Sequence, residues 1–229
     1  MWLKKESGIE KNAEMESDFN RIEKTDAYEV QITQAYVRES ASADSKSISL
    51  VVSVKDIETE ATNTTYFTLT NRSGETFYIR NINGVDKKYE MFGLSLANAM
   101  FNILLGKDIF DFEPQDMTTE LWDKDAKAMK ETTVSGFHDL VGKNIGVTIQ
   151  MRRELDGQNS KEFGTIDHFF DPKSGLFHNE EDSNNRKLDR WLNKKKEFII
   201  KEVAQQQKSS FGKKKETTDG AEKPRKWGR

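Results

Sequence analysis

The chain has 229 residues and a mass of 26.4 kDa, with 36 Lys and Arg, 39 Asp and Glu, and no cysteine. The lack of cysteine excludes disulfides, thiolate nucleophiles and Cys-type zinc sites, and no apolar run is long enough to predict a membrane span. Residues 186–229 carry 15 basic and 6 acidic side chains, whereas residues 1–185 carry 21 basic and 33 acidic ones. A basic segment after an acidic body predicts nucleic acid or protein as a partner.

Two strands are predicted near the start of the chain. Residues 1–25 are polar with isolated apolar side chains, which predicts an N-terminal arm. From Tyr28 onward, Val30 and Ile32 alternate with polar residues, and the same period of two returns at 48–54 after a Ser-rich loop. A period of two is typical of a strand that buries one face.

A hairpin is predicted over Thr64–Asn81. Two β-rich runs flank the segment NRSGE, in which Asn71 and Gly74 tolerate the positive φ of a tight turn. Alternation sorts the side chains onto two faces. One face has Phe67, Leu69, Phe77 and Ile79, and the other has Tyr66, Thr68, Tyr78 and Arg80.

One helix is predicted in the body of the chain. Ser95 is its predicted cap, the helix covers Leu96–Leu105, and Gly106 ends it. An acidic stretch over 107–125 follows, with a short strand predicted around Leu121 and Trp122.

Two further strands are predicted after the acidic stretch. In the first, Ile145, Val147, Ile149 and Met151 share one face, and the second lies within 161–170. The segment LDGQNS between them is rich in turn formers and predicts a hairpin loop.

Three strands, a helix and two or three more strands match a mainly β fold. We expect an OB-fold-like five-stranded Greek-key barrel, with the helix between the third and fourth strands. A generic small β-barrel or β-sandwich fits the periodicity almost as well. Later in the chain, Leu188, Trp191 and Leu192 form a stripe that predicts an amphipathic C-terminal helix. The predicted organisation is an arm over 1–25, the OB-fold-like domain over 26–182, the C-terminal helix over 183–205 and a disordered basic tail over 206–229.

The sequence favours a binding protein over an enzyme. His138, His168 and His178 occur in no zinc-binding spacing, and no glycine motif of a phosphate-binding loop or nucleophile elbow is present. The acidic residues of 107–125 fit no calcium-binding loop and are interpreted as a solvated face. We therefore expect no catalytic residue, no metal site and no cofactor.

The outward face of the predicted hairpin is the main candidate site. An aromatic side chain on a solvated strand face forfeits burial, so Tyr66 and Tyr78 predict a platform for stacking bases. Arg72 and Arg80 beside them would hold phosphates. The alternative is that these tyrosines pack under the N-terminal arm or the C-terminal helix.

Other basic and aromatic residues lie near predicted strand ends and loops. They are Lys87, Lys88, Tyr89, Arg152, Arg153, Lys161 and Phe163. Together in one groove they would let a net-acidic body bind a polyanion, because local potential matters more than total charge at a Debye length of about 8 Å. A dispersed set of solvated charges is the alternative.

The C-terminal tail combines basic residues with an aromatic one. Its candidate partner-binding residues are Lys213, Lys214, Lys215, Arg225, Lys226 and Trp227. A Trp among cations predicts stacking on nucleic acid or insertion into a partner protein, and a tail without a role is the alternative.

Four segments carry a resemblance to a known family. They are the opening WLKKESGIEKNAEME, the strand DAYEVQITQAYV, the run KKYEMFGLSLANAMFNILLGK and the strand LVGKNIGVTIQMRRE. Together they resemble bacteriophage single-stranded DNA-binding proteins of the podovirus type over about residues 1–170. The resemblance implies an OB-fold that coats single-stranded DNA without sequence preference in phage replication, recombination and repair, with no cofactor. The opening has no apolar signal-peptide core, so the expected compartment is the cytoplasm of the host cell.

The basic tail departs from this resemblance. Many replication proteins of this function have an acidic tail that recruits partners, whereas residues 206–229 are basic. We expect the tail to contact phosphates or an acidic surface on phage or host replication, recombination or transcription proteins. A protein-interaction adaptor and a strand-annealing recombination protein are the alternative functions, and the sequence leaves a homodimer open.

Overall fold

The computed structural model describes residues 20–40, 42–123, 125–156, 159–181 and 186–202, which are mainly β-strand. Its strands are β1 (Asp26–Glu39), β2 (Ile48–Asp56), β3 (Thr62–Thr68), β4 (Phe77–Ile82), β5 (Val85–Glu90), β6 (Gln115–Asp123), β7 (Ala128–Gly136), β8 (Asn144–Asp156), β9 (Asn159–Phe170) and β10 (Ile199–Glu202). Its helices are α1 (Phe92–Leu105) and α2 (Lys187–Lys194), with short 3-10 turns at Ile109–Asp111 and His138–Leu140. Within these described ranges, no helix has the length and apolar character needed to cross a membrane.

Five strands form a barrel-like antiparallel sheet. β1 pairs with both β2 and β8, β2 pairs with β3, and β8 pairs with β9. β3 and β9 then meet, because Asn63 Nδ2 donates to the Gly164 carbonyl at 3.1 Å and Ile166 N–H donates to Thr65 Oγ1 at 3.2 Å. The strands therefore follow one another around the barrel in the order β1, β2, β3, β9, β8.

The core comes from the side chains that alternation assigns to the inside. Leu50, Val52 and Val54 of β2 and Ile145, Val147, Ile149 and Met151 of β8 are all buried. Helix α1 adds Leu96, Ala97, Met100 and Phe101 to the same cluster. Full burial of a large apolar side chain stabilises a fold by about 1.5–3 kcal/mol, so this cluster is the main source of stability.

A β-bulge exchanges the inward and outward faces in the second half of β1. The pairing of β1 with β2 shifts register between Ile32 and Gln34. Ile32 faces the core before the bulge and Ala35 faces it afterwards, which places Tyr36 and Arg38 on the outer face of the barrel. One extra residue in a strand is enough to exchange its two faces.

The predicted hairpin over Thr64–Asn81 is wrong. β3 pairs with β2, whereas β4 pairs with β5 across a turn at Asn83 and Gly84. Both turn residues have positive φ, 53° and 81°, as a type I′ hairpin turn requires. The NRSGE segment does turn, since Gly74 N–H donates to the Asn71 carbonyl at 3.0 Å. This turn lies in the loop between β3 and β4, which pair with β2 and β5 and not with each other.

The face predicted for Phe77 and Ile79 changes for the same reason. Both residues belong to the β4–β5 hairpin and not to the barrel strand that carries Phe67. Ile79 is exposed, whereas Phe67 is buried in the core. The prediction that Phe67, Leu69, Phe77 and Ile79 share one face is therefore wrong.

Helix α1 begins four residues before the predicted start. Met91 is its N-cap residue, and the Ser95 hydroxyl donates instead to the last residue of β5. Gly93 permits the first turn to lie flat on β3, because a Cβ at this position would lie 2.4 Å from the Thr68 carbonyl oxygen. The predicted end at Gly106 is confirmed, with the φ of 72° that a left-handed C-cap requires.

The C-terminal helix predicted over 183–205 is much shorter. α2 ends at Lys194, and β10 then pairs in parallel with β8. Gln150 Nε2 donates to the Lys196 carbonyl at 2.8 Å, which occupies a carbonyl that a longer helix would use. The β-branched pair Ile199 and Ile200 favours a strand beyond that point.

The acidic stretch contributes a second hairpin. β6 pairs antiparallel with β7, and β7 joins the barrel where Gly136 pairs with Tyr36 of β1. β6 is longer than the short strand predicted around Leu121 and Trp122.

Candidate nucleic-acid interface

The β4–β5 hairpin has four of the predicted site residues on one face. Tyr78 lies directly opposite Tyr89, and Arg80 lies directly opposite Lys87. The two tyrosine rings stack with centroids 5.7 Å apart and an interplanar angle of 25°. We call these four residues the hairpin face.

The hairpin face has no carboxylate among its residues. Strand alternation turns Asp86 and Glu90 to the opposite face, where Asp86 Oδ1 accepts a hydrogen bond from Asn81 at 2.7 Å. Lys88 also lies on that opposite face, with its Nζ 4.1 Å from the ring centroid of Phe77. The structure therefore separates Lys88 from Lys87, although the sequence predicts both as one group.

The two cations of the hairpin face are arranged at a cost to the hairpin. Like charges directly opposite one another destabilise a strand pair, and an isolated two-stranded sheet is marginally stable at best. Among the described strands, β4 and β5 pair with each other alone, and Arg80 and Lys87 are both exposed. An anion bound between their side chains would attract both cations and so offset the repulsion between them.

Tyr66 is a second exposed ring, on the outer face of β3. Its side chain is 54% exposed, and the guanidinium carbon of Arg38 lies 5.8 Å from its ring centroid, within the range of a cation–π contact. Tyr36 lies beside this pair, because it pairs with Val51 of β2 and Val51 pairs with Tyr66. Burial and the neighbouring Tyr66 raise the pKa of the Tyr36 phenol, and Arg38 opposes the rise. A ring and a cation are thus presented together to solvent.

A groove of about 260 Å³ runs beside Tyr66, between β3, β9 and the start of α1. Phe92 lines it and is 66% exposed, which adds a second accessible ring. Arg152 also lines it, with Nη2 3.0 Å from Asp167 Oδ1. The charge of Arg152 is therefore largely balanced within the protein.

The predicted residues at the β8–β9 hairpin form a separate group. Arg153 Nη2 lies 2.6 Å from Glu162 Oε1, and its guanidinium lies 4.5 Å from the ring centroid of Phe198. Lys161 Nζ lies 5.7 Å from the ring centroid of Phe163. Phe163 lines another cavity, of about 670 Å³. Ion pairing of Arg153 leaves Lys161 and Phe163 as the accessible cation and ring of this group.

The two tyrosines predicted to form one platform belong to different sheets. Tyr66 lies on the barrel and Tyr78 on the β4–β5 sheet, so the prediction that one hairpin carries both is wrong. Both rings are nevertheless exposed, as a stacking role requires. Arg72 lies exposed in the loop between β3 and β4, where its carbonyl accepts the Lys46 N–H at 2.9 Å.

Sequence reasoning missed Arg38 and Phe92. Alternation continued from Tyr28 places Arg38 on the core face, because the pattern takes no account of the bulge in β1. Phe92 precedes the predicted start of its helix and gave no periodic signal. The Asn83–Gly84 pair, by contrast, is a readable hairpin signal, since Asn-Gly between alternating runs is the strongest short-range one.

Several predicted features lie away from these surfaces. The tail residues Lys213, Lys214, Lys215, Arg225, Lys226 and Trp227 lie outside the described residues. In the part of the chain that the structure describes, no group of three His, Asp or Glu side chains converges as a metal site. His138 Nε2 lies 3.3 Å from the Asp116 carbonyl, far along the chain from His168 and His178.

Comparison of the sequence with models of known protein families finds no match, and a search of curated proteins also finds none.

Proposed function

We propose that this protein binds single-stranded DNA without sequence preference, as a non-enzymatic component of phage DNA replication, recombination and repair. The hairpin face is the observation that carries the proposal. Its stacked tyrosines offer flat apolar rings, and its opposed cations lie beside them on the same surface. Stacking contributes about 1–3 kcal/mol per base and is indifferent to sequence, because every base has a π-face.

We also propose that the barrel is of the OB type. The circular strand order and the position of α1, after the third barrel strand β3 and before the fourth, β8, support this assignment. In OB-folds the face of the second and third strands binds oligonucleotides. β2 and β3 are the corresponding strands here. Tyr66 lies on the outer face of β3, and Arg38 lies on the outer face of the neighbouring β1. Their positions support a DNA path across the barrel.

The acidic body is compatible with a polyanionic ligand. Residues 1–185 carry a net charge of −12, but charges beyond a Debye length of about 8 Å are largely screened. Single-stranded DNA on the hairpin face would contact Arg80 and Lys87, whereas the carboxylates of the hairpin lie on its opposite face. Local charge segregation by strand alternation is therefore what allows binding.

The direct test is a titration of fluorescent oligo-dT with the full chain at several salt concentrations. Each phosphate contact adds about 0.7 to the negative slope of log affinity against log salt on single strands. Contacts from Arg38, Arg80 and Lys87 predict a slope of about −2 or steeper. Absence of binding at low salt, or binding that does not respond to salt, would contradict the proposal.

The exposed rings predict a second result. Tyr66→Ala and Tyr78→Ala should each weaken oligo-dT binding by about 1–3 kcal/mol if each ring stacks one base. Tyr66→Phe keeps the ring and should bind almost as tightly as the unaltered protein. Trp122→Ala is the matched control, since Trp122 is equally exposed on a hairpin but stands beside carboxylates. Unchanged affinity in both alanine variants would show that the tyrosines have no stacking role.

A protein-interaction adaptor is the second candidate function, and the β6–β7 hairpin favours it. Trp122 lies opposite Met129 and both are about half exposed, while Glu120 lies opposite Glu131 on the same face. An exposed apolar pair beside an acidic pair suits a partner with apolar and basic groups.

Truncation after Gln207 separates DNA binding by the barrel from an adaptor role of the C-terminal tail. A DNA-binding protein should retain most of its affinity for oligo-dT, because the hairpin face and Tyr66 are intact. An adaptor that works through its tail should instead lose its protein partners. Loss of most DNA affinity on truncation would move the binding site from the barrel to the tail.

A further inference from the structure

A cleft of about 580 Å³ lies between α1, the end of β9 and α2. It is lined by cations and rings from three separate parts of the chain. Its principal lining residues are Lys187, Arg190, Lys194, Trp191, Phe177 and His168. We call it the α2 cleft.

The three cations of the α2 cleft come from one helix. Lys187, Arg190 and Lys194 are spaced by three and four residues, which places them along one face of α2. All three are exposed. Glu180 lies beside this face, but its two carboxylate oxygens accept the backbone N–H groups of Phe177 and Lys187 at 3.0 and 2.6 Å. The Glu180 carboxylate also attracts Lys187 and Arg190, so an anion in the cleft would compete with it for these two side chains.

Rings line the remainder of the α2 cleft. His168 stacks on Phe177 with ring centroids 4.9 Å apart and an interplanar angle of 23°. Burial, together with nearby Lys187, holds the pKa of His168 below its usual value against the opposing effect of Asp167. The shift favours the neutral imidazole. Trp191 is half-buried in the cleft wall. The cleft combines flat uncharged rings with three cations, which is the chemistry of a nucleotide site.

The α2 cleft adjoins the groove beside Tyr66. Leu96 lines both openings. On β9, Asp167 lines the groove and the next residue, His168, lines the cleft. A single strand of DNA that passes Tyr66 therefore reaches the α2 cleft after it crosses the first turns of α1. Asp167 and Glu90 are carboxylates beside this path. The bond of Asp167 to Arg152 reduces its repulsion of phosphate, and Glu90 accepts hydrogen bonds from Ser95 and Asn98 at the first turns of α1.

We propose that the α2 cleft is a second subsite for the same single strand, in which Trp191 stacks a base and Arg190 and Lys194 contact phosphates. The inference rests on the proposed function and extends it, because it lengthens the DNA path from the barrel onto the C-terminal helix. Short oligonucleotides are held at the hairpin face and Tyr66, and longer ones gain the cleft.

The test compares oligo-dT of increasing length, from about 4 to about 16 nucleotides, on the full chain. In the variant Arg190→Ala/Lys194→Ala, the longest oligonucleotides should lose about 1.4 from the salt slope, since two phosphate contacts are removed. The shortest should bind as they do to the unaltered protein. The control is Lys196→Ala/Lys201→Ala, which removes the same charge from exposed positions that do not line the cleft.

Trp191 supplies an independent readout. In a variant in which Trp2, Trp122 and Trp227 are replaced by Phe, Trp191 is the remaining tryptophan. Long oligo-dT should quench its emission, and Trp191→Ala should lower the affinity for long oligo-dT about 5- to 150-fold, the equivalent of one stacked base.

The outcomes separate this inference from the proposed function. If the unaltered protein binds no oligonucleotide of any length, the proposed function fails. If it binds, but the Arg190→Ala/Lys194→Ala variant shows the same dependence on length and salt and Trp191 emission does not change, the α2 cleft is not part of the path. Equal losses in this variant and its control would show a general charge effect and would also overturn the inference.

Discussion

We expect Lys87→Glu to lower the affinity for oligo-dT by about 3 kcal/mol, roughly 150-fold, at low salt. The change removes one cation. The new carboxylate lies directly opposite Arg80, so it can also form an ion pair with Arg80 and reduce the contact of Arg80 with phosphate. Hydrogen bonds to charged groups contribute about 1.5–3 kcal/mol each. The loss of two phosphate contacts should reduce the salt slope by about 1.4. The measurement is the same fluorescence titration, repeated at several salt concentrations.

Lys88→Glu is the matched control for this prediction. It makes the same charge change at the next residue, but Lys88 lies on the opposite face of the hairpin. We expect a loss of affinity for oligo-dT well below that of Lys87→Glu, because the new charge acts on the DNA only at long range and removes no direct contact. Equal losses in the two variants would show that the faces of the hairpin are not distinguished by DNA. No loss in either would remove the hairpin from the binding site.

The largest expected effect on stability is that of Phe101→Ala. Phe101 is fully buried in α1, with ring centroids 5.2 Å from Phe112 and 5.0 Å from Phe137. Its removal leaves a cavity where the helix meets the segments on either side of the β6–β7 hairpin. Substitution of a buried Phe by Ala costs about 3–5 kcal/mol, to be measured as the change in the free energy of unfolding in urea.

Phe110→Ala is the control for that measurement. Phe110 lies nine positions further along the chain and is 67% exposed, so its substitution should change the free energy of unfolding by no more than about 0.5 kcal/mol. A cost below about 1 kcal/mol for Phe101→Ala would mean that α1 does not pack on the core as described.

The sequence was a reliable guide in the regular strands that bury one face. In β2 and β8 the alternating residues, such as Leu50, Val52, Ile145 and Val147, lie in the core as predicted. Gly106 ends α1 because a left-handed C-cap favours glycine. These features depend on residues that are neighbours along the chain, so local pattern determines them.

The candidate site was less accessible to the same reasoning. Tyr78, Arg80, Lys87 and Tyr89 can be recognised as candidates from their residue types. Their pairing depends on which of two nearby turns, NRSGE or Asn83–Gly84, joins two paired strands, and the prediction considers NRSGE alone. The NRSGE loop satisfies its own hydrogen bonds, with Asn71 Oδ1 accepting from the N–H groups at 73 and 75. The edge of β3 is then covered by β9, more than 90 residues away. No local pattern contains that contact.

The sequence by itself determined that this chain is mainly β, where the barrel strands run, and many of the cations and rings that are candidates for contact with DNA. The tertiary structure alone decided which of them share a surface. The bulge beside Gln34 brings Arg38 to Tyr66, the type I′ turn sets Arg80 opposite Lys87, and the closure of β3 on β9 places the groove of Tyr66 next to the α2 cleft. The physical reason is that the face and the register of a strand change with a single residue, and the energy that selects among registers comes from contacts distant in the chain.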